Sequence, residues 1–172
     1  MEYPKLLGAV AVESWSLPDG TSAETAKVSP TFPRWAGEPP SRTYGRKPII
    51  DLDGQPAFAE LAILRIFEAA GWEGVWVDTF RNRYLRQFWP SPEPVQLPDD
   101  KKDLIAAIRA SGGKTARPWD VFCWSQDSVI FAESKWHKRD SVRPSQCAFL
   151  AGGLKAGLPL SSFLLVEWSF AG

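Results

Sequence analysis

The chain has 172 residues, 44% apolar and 23% charged, which is enough for one folded domain and excludes a disordered or collagenous chain. Twenty Lys and Arg balance twenty Asp and Glu, so the formal net charge is zero. That argues against a protein that coats nucleic acid non-specifically, and says nothing against a local basic groove.

Two cysteines, Cys123 and Cys147, make neither a disulfide framework nor a zinc site, so a reducing cytoplasm is the expected setting. The apolar stretch 6–12 is at the lower limit for a signal-peptide core and runs into Glu13 and Trp15 without a convincing cleavage site. No run approaches the ~20 apolar residues of a membrane span, so no membrane partner is expected.

Residues 1–56 carry Pro4, Pro18, Pro30, Pro33, Pro39, Pro40, Pro48 and Pro56, too many for long helices. They read as an extended arm packed on the core, with short strands at 6–12 and 48–52 and Trp15, Phe32 and Trp35 as pins. The organised part, 57–172, follows. Asp53-Gly54-Gln55-Pro56 is read as a helix entry, with proline in the first turn. From 57 to 70 apolar residues cover most of a helix surface, and Gly71 stops it. Glu60 projects between Leu64 and Phe67 and requires a partner.

Residues 74–78 form a short buried strand. An irregular insertion spans 79–117. It holds the basic run Arg81, Arg83 and Arg86, with Tyr84 and Trp89 interleaved as a surface on which bases stack, and a helix starting near Asp99-Asp100. Ser111-Gly112-Gly113-Lys114-Thr115 has the look of a phosphate loop, but Ile108 stands where that pattern needs glycine. The spacing predicts a helix C-cap and turn instead. Two β-type runs, 119–124 and 129–136, flank the turn 125–128 as a hairpin. Pro144 opens a helix over 144–156, closed by Gly157, in which Gly152-Gly153 implies close packing against a neighbour. Residues 163–168 are a last strand.

The hairpin carries the chemistry. Glu133 and Lys135 project from one face, roughly 6.5–7 Å apart along the strand. A turn at 125–128 sets residue 120 opposite residue 133, so Asp120 shares that face. Two carboxylates packed together repel unless a cation lies between them, and oxygen ligands suit Mg²⁺ or Mn²⁺. The bland alternative is a cross-strand ion pair on a solvated face. It sits poorly with a strand that is apolar on both faces up to Ala132.

Pro118-Trp119-Asp120 followed by Glu133-Ser134-Lys135, behind a helix with an embedded Glu60, resembles the PD-(D/E)XK nuclease superfamily. The segment from Ala132 to Val166, with "AESK", a basic linker, "RPSQCAFLAGGLKAGLP" and "FLLVEW", is similar to its small VRR-NUC and Holliday-junction-resolvase-like branches. The resemblance covers about 110 residues, judged from element order. It implies an α/β fold with a restriction-endonuclease-like α-β-β-β-α-β core, a central mixed sheet and flanking helices. It also implies a Mg²⁺-dependent (or Mn²⁺-dependent) nuclease acting on nucleic acid, DNA ahead of RNA.

By the same resemblance Asp120, Glu133 and Glu60 are metal ligands, Lys135 aligns the attacking water, and Gln146 supports the site. Lys138, Arg139 and Arg143 follow Lys135 as a basic patch for the phosphate backbone, with Arg81, Arg83 and Arg86 as a second surface. His137 is either a phosphate contact or an exposed loop histidine. Zero net charge leaves part of the grip on nucleic acid to a homodimer or a partner protein. The rival reading is a catalytically silent module of the same fold that binds nucleic acid or a protein. Three features depart from the family pattern: Trp119 between Pro118 and Asp120, the length of 79–117, and the proline-rich 1–56.

Overall fold

The computed structural model of the chain describes residues 2–41, 47–87 and 93–172. Its strands and helices run β1 (Ala11–Ser16), β2 (Ser22–Val28), β3 (Thr31–Phe32), β4 (Ile50–Leu52), β5 (Gln55–Ala57), α1 (Ala59–Ala69) and β6 (Glu73–Asp78). There follow β7 (Arg83–Leu85), β8 (Pro94–Val95), α2 (Asp99–Gly112), β9 (Val121–Trp124), β10 (Val129–Trp136), α3 (Pro144–Lys155) and β11 (Phe163–Phe170). The fold is mixed α/β. Its main sheet has the order β1-β2-β11-β10-β9-β6-β7-β8, with β3 beside the far end of β11. Most pairs are antiparallel, but β11 lies parallel to both β10 and β2.

Alternation along the central strands builds two apolar layers. Trp76, Val121, Cys123, Ile130, Ala132, Leu164 and Val166 face α1. Val75, Val77, Phe122, Trp124, Phe131, Phe163 and Leu165 face α2 and α3. In the second layer Phe122 and Phe131 stack at 4.4 Å, and Phe149 of α3 meets Phe131 edge-on at 5.0 Å. Both faces of β9 and of β10 up to Ala132 are therefore covered, which is why these stretches are apolar without a break.

The N-terminal segment departs from the expected extended arm. Residues 11–28 form an antiparallel hairpin, Ala11 opposite Lys27 through Ser16 opposite Ser22, and β2 extends the sheet by pairing with β11. Its strand begins at Ala11, whereas residues 6–7 of the expected strand lie in the 3₁₀ turn Lys5–Leu7. Trp15 and Phe32 are buried, and Trp35 is half-buried.

Asp53-Gly54 is also not a helix entry. Both residues have positive φ, 52° and 78°, and they turn β4 back on β5. An Asp-Gly pair favours a two-residue hairpin turn, and right-handed helix is closed to both at these angles. Pro56 thus lies in a strand, and α1 starts at Ala59. The insertion is less irregular than expected, since β7 and β8 lengthen the sheet beyond β6. At the end of α2, Gly113 takes φ 83° as the C-cap, in keeping with the helix end and turn read from the sequence.

α2 and α3 cross through their glycines. A Cβ on Gly152 would fall on the Ile108 carbonyl oxygen and 2.8 Å from the Gly112 Cα, while one on Gly112 would lie 2.5 Å from the Ala148 oxygen. The two backbones touch where no side chain fits. Gly152→Ala and Gly112→Ala are each expected to lower stability by about 1–3 kcal/mol through overpacking. At about 2–4 °C per kcal/mol for a chain of this size, thermal denaturation reads this as a fall of several degrees. An unchanged midpoint in both variants would refute the close crossing.

Candidate functional site

The alternation that makes the two layers also aims the polar end of β10. Phe131 faces α3, so Glu133 and Lys135 face the same way. The β9–β10 ladder ends at Val121 opposite Ala132. Just beyond it, Asp120 holds its position by two bonds. Its carbonyl accepts the Val77 N–H at 2.8 Å, and its Oδ2 accepts the Ser134 N–H at 3.0 Å.

Trp119, which interrupts the Pro-Asp pair of the sequence, is an anchor. It is fully buried, stacks on Trp15 at 4.9 Å, and donates its indole N–H to the Gln146 carbonyl at 3.2 Å. One tryptophan thereby ties the approach to Asp120 to the first turn of α3.

Glu133 is 2% exposed and is the deepest of the carboxylates. Its Oε1 accepts the Lys135 ammonium at 2.7 Å and the Gln146 side-chain N–H. Gln146 is fixed at both ends, because its Oε1 accepts the Arg143 N–H at 2.8 Å and so closes the start of α3. It combines the helix-capping role common for a first-turn glutamine with a contact to the site. Glu60, in the first turn of α1, is buried too, and its Oε1 accepts the Lys47 ammonium. That lysine is the partner the acidic residue in an apolar helix required.

Glu60, Asp120, Glu133, Lys135 and Gln146, drawn from α1, the β9–β10 hairpin and α3, line a single cavity of about 740 Å³. Arg139 and Arg143 line it as well, as do Lys47, Arg117, Thr79 and Asp140. Its charges are coupled. Burial pushes the Glu133 carboxyl well above its ordinary value, and the Asp120 charge adds to this, while Lys135 acts in the opposite direction. Burial alone would lower Lys47, yet the Glu60 carboxylate, and then Asp120, hold it above the usual lysine value. Lys47 is therefore a lasting ammonium.

The donor set suits a hard divalent cation. A buried carboxylate whose ionisation a neighbouring carboxylate opposes, as Asp120 opposes that of Glu133, is relieved by a cation between them. Among the described residues no group of three or more His, Cys, Asp and Glu side chains makes a ready cage. Mg²⁺ does not need one, since it keeps several waters and is held by one or two carboxylates with substrate phosphates. Asp120 and Glu133 would hold the ion, with Glu60 beside them.

Other expected residues lie elsewhere. His137 is outside the cavity lining and places Nδ1 3.0 Å from Glu167 Oε2. Lys138 sits in a turn with φ 59°, also outside the lining. Arg81 and Arg83 pair with Asp78, and Arg86 with Glu73 at 3.6 Å, none of them lining the cavity. Trp89 falls outside the described residues. Lys47 and Arg117 were not singled out by the sequence reading. Arg117 carried a signal, standing directly before Pro118-Trp119-Asp120, whereas nothing local marks Lys47. No protein-family model, curated protein or solved structure matches the chain.

The buried carboxyl has a measurable consequence. A carboxyl raised on folding favours the native state below its unfolded value, about 4.3 for Glu. That contribution is lost as pH rises through the folded value. In metal-free protein, Glu133→Gln removes this loss. Its melting point is expected to match wild type near pH 4 and exceed it at pH 7, by about 1.4 kcal/mol for each unit of displacement. Added Mn²⁺ at a hundredfold its dissociation constant should stabilise wild type alone, by about 2.7 kcal/mol. A variant no more stable than wild type at pH 7 would refute the strain.

Proposed function

We propose that the protein is a metal-dependent nuclease with a restriction-endonuclease-like core, hydrolysing phosphodiester bonds of nucleic acid, DNA ahead of RNA. The observation that carries this is the cavity itself. Two carboxylates and a lysine from one hairpin, a glutamate from α1 and a glutamine from α3 meet in it, under a rim of Arg117, Arg139 and Arg143. The order α1, β6, β9, β10, α3, β11, interrupted by β7, β8 and α2, with β6, β9 and β10 antiparallel and β11 parallel to β10, supports the α-β-β-β-α-β reading.

In this reading Asp120 and Glu133 hold Mg²⁺ or Mn²⁺, which when bound lowers the pKa of a water and neutralises a phosphate. Lys135, fixed on Glu133, positions the attacking water and faces the charge that develops on phosphate oxygens. Gln146 keeps the Glu133 carboxylate in one orientation, as partners of a metal ligand commonly do. The three rim arginines take phosphates on either side of the scissile one. A fixed arrangement of this kind contributes through positioning and preorganised charge. With the thiols of Cys123 and Cys147 free, the reading places the enzyme in the reducing cytoplasm. A homodimer or a partner protein would widen the basic surface.

The test is cleavage of labelled duplex, single-stranded and branched DNA, with RNA counterparts, in Mg²⁺, Mn²⁺ or EDTA. Cutting is expected only with metal. Lys135→Ala should slow it by about 10²–10³-fold, the scale for loss of a charge-stabilising group. Gln146→Ala should slow it by about 10–100-fold, the range for partners of metal ligands. Full turnover in Asp120→Ala, Glu133→Ala and Lys135→Ala would overturn the site. Salt-sensitive binding without cleavage by wild type would leave a silent nucleic-acid-binding module instead.

A further inference from the structure

Among the described residues Lys47 is the one ammonium of this cavity that comes from outside the hairpin, and its surroundings define its task. Its partner is Glu60, yet Asp120 and Glu133 also act on it, so it belongs to the whole carboxylate cluster and not to a surface ion pair. The rings of Trp76 and Phe58, with centroids 5.6 and 5.9 Å from Nζ, form an apolar, electron-rich wall beside it. Its side chain is 33% exposed, and it lines the cavity.

Charge decides what else fits. Four carboxylates, Glu60, Asp120, Glu133 and Asp140, and five cationic side chains, Lys47, Lys135, Arg117, Arg139 and Arg143, line the cavity, one positive charge in excess when all are ionised. One divalent cation with one phosphodiester raises that to two. A second divalent cation would raise it to four in a partly dehydrated pocket, where unbalanced charge is costly. Glu60 needs a cation, and a tethered lysine supplies one that cannot diffuse away.

From this geometry we infer that Lys47 is a built-in second cation. Its ammonium occupies the Glu60 end of the carboxylate cluster, where another divalent ion would otherwise bind, and leaves Asp120 and Glu133 to hold a single one. The inference rests on the reading of Asp120 and Glu133 as metal ligands. It adds to that reading that the centre holds one metal, and that residue 47, in the segment before α1, sets the number.

The experiment is calorimetric titration of Mn²⁺ into metal-stripped protein, with thermal denaturation of each metal-free variant to establish that it is folded. Wild type is expected to take one Mn²⁺ per chain. Lys47→Met exposes Glu60 and should take two, whereas Lys47→Arg, which keeps the cation, should take one. The double variant Lys47→Met, Glu60→Gln removes both charges, so it leaves no unpaired buried carboxylate to threaten folding, and it should return to one. Two ions in wild type, or no more than one in folded Lys47→Met, would overturn the role of Lys47. No binding by wild type would strike the Asp120–Glu133 metal reading itself and this inference with it.

Discussion

A carboxylate buried at the end of a central strand sets the terms for everything around it. Glu133 has almost no contact with solvent, and an ion taken out of water is costly unless hydrogen bonds and opposite charge replace hydration. The chain supplies these from two directions: Lys135 returns along the same strand face, and Gln146 reaches across from α3, while Asp120 stands just before the next strand with its own oxygen held by the Ser134 N–H. Asp120 makes the burden heavier, since its charge raises Glu133 further. A purely structural core would gain by replacing such a pair with apolar side chains. On the proposed reading, its presence marks stability given up for a centre that holds a cation.

Holding that centre requires a stiff frame, and the apolar layers provide it. Phe122 and Phe131 stack across the two hairpin strands, and Phe149 packs edge-on against Phe131, so α3 is keyed to β10 below Glu133. Trp119 fills the space between Trp15 and Phe163, and its bond to the Gln146 carbonyl fixes the start of α3 against Asp120. The glycine crossing of α2 and α3 brings two backbones into contact and so limits how far α3 can slide. Side chains packed to this density hop between few arrangements, which is what a site with contacts near 3 Å needs.

The central elements were legible because their signals are local. The helix over α1, the strand β6, the hairpin β9–β10 and the helix α3 each show a period, a turn residue or a cap within a dozen residues. The 120–133 pairing followed from the turn position alone, and the contact between Asp120 and the Ser134 N–H lies at that register. The N-terminal hairpin was not legible. Ser22–Val28 has no strong apolar alternation, and the partner that makes it a strand, β11, lies at the other end of the chain. Asp53-Gly54 was misread because Pro56 suits a helix start as well as an edge strand, and only the positive φ values separate the two. Arg81, Arg83 and Arg86 looked like a nucleic-acid surface by spacing. Their carboxylate partners, Asp78 and Glu73, sit on β6, where pairing with β7 brings the basic run alongside them.

The departures in the N-terminal segment share a cause that also bears on the site. Residues 1–56 looked like an appendage since proline-rich sequence cannot form long helices, yet they close one side of the main sheet and deliver Lys47 to Glu60. The segment before α1 is thus part of the charge balance of the cavity, and the domain cannot be divided at residue 57 without exposing both β11 and Glu60. Zero net charge over the chain is compatible with this local arrangement. Arg117, Arg139 and Arg143, all exposed, collect around a cavity whose carboxylates Glu60 and Glu133 are buried. On the proposed reading, a field of that form draws a phosphate chain to one place on the surface without coating the rest of the molecule, since charges farther apart than about 8 Å are largely screened at physiological salt.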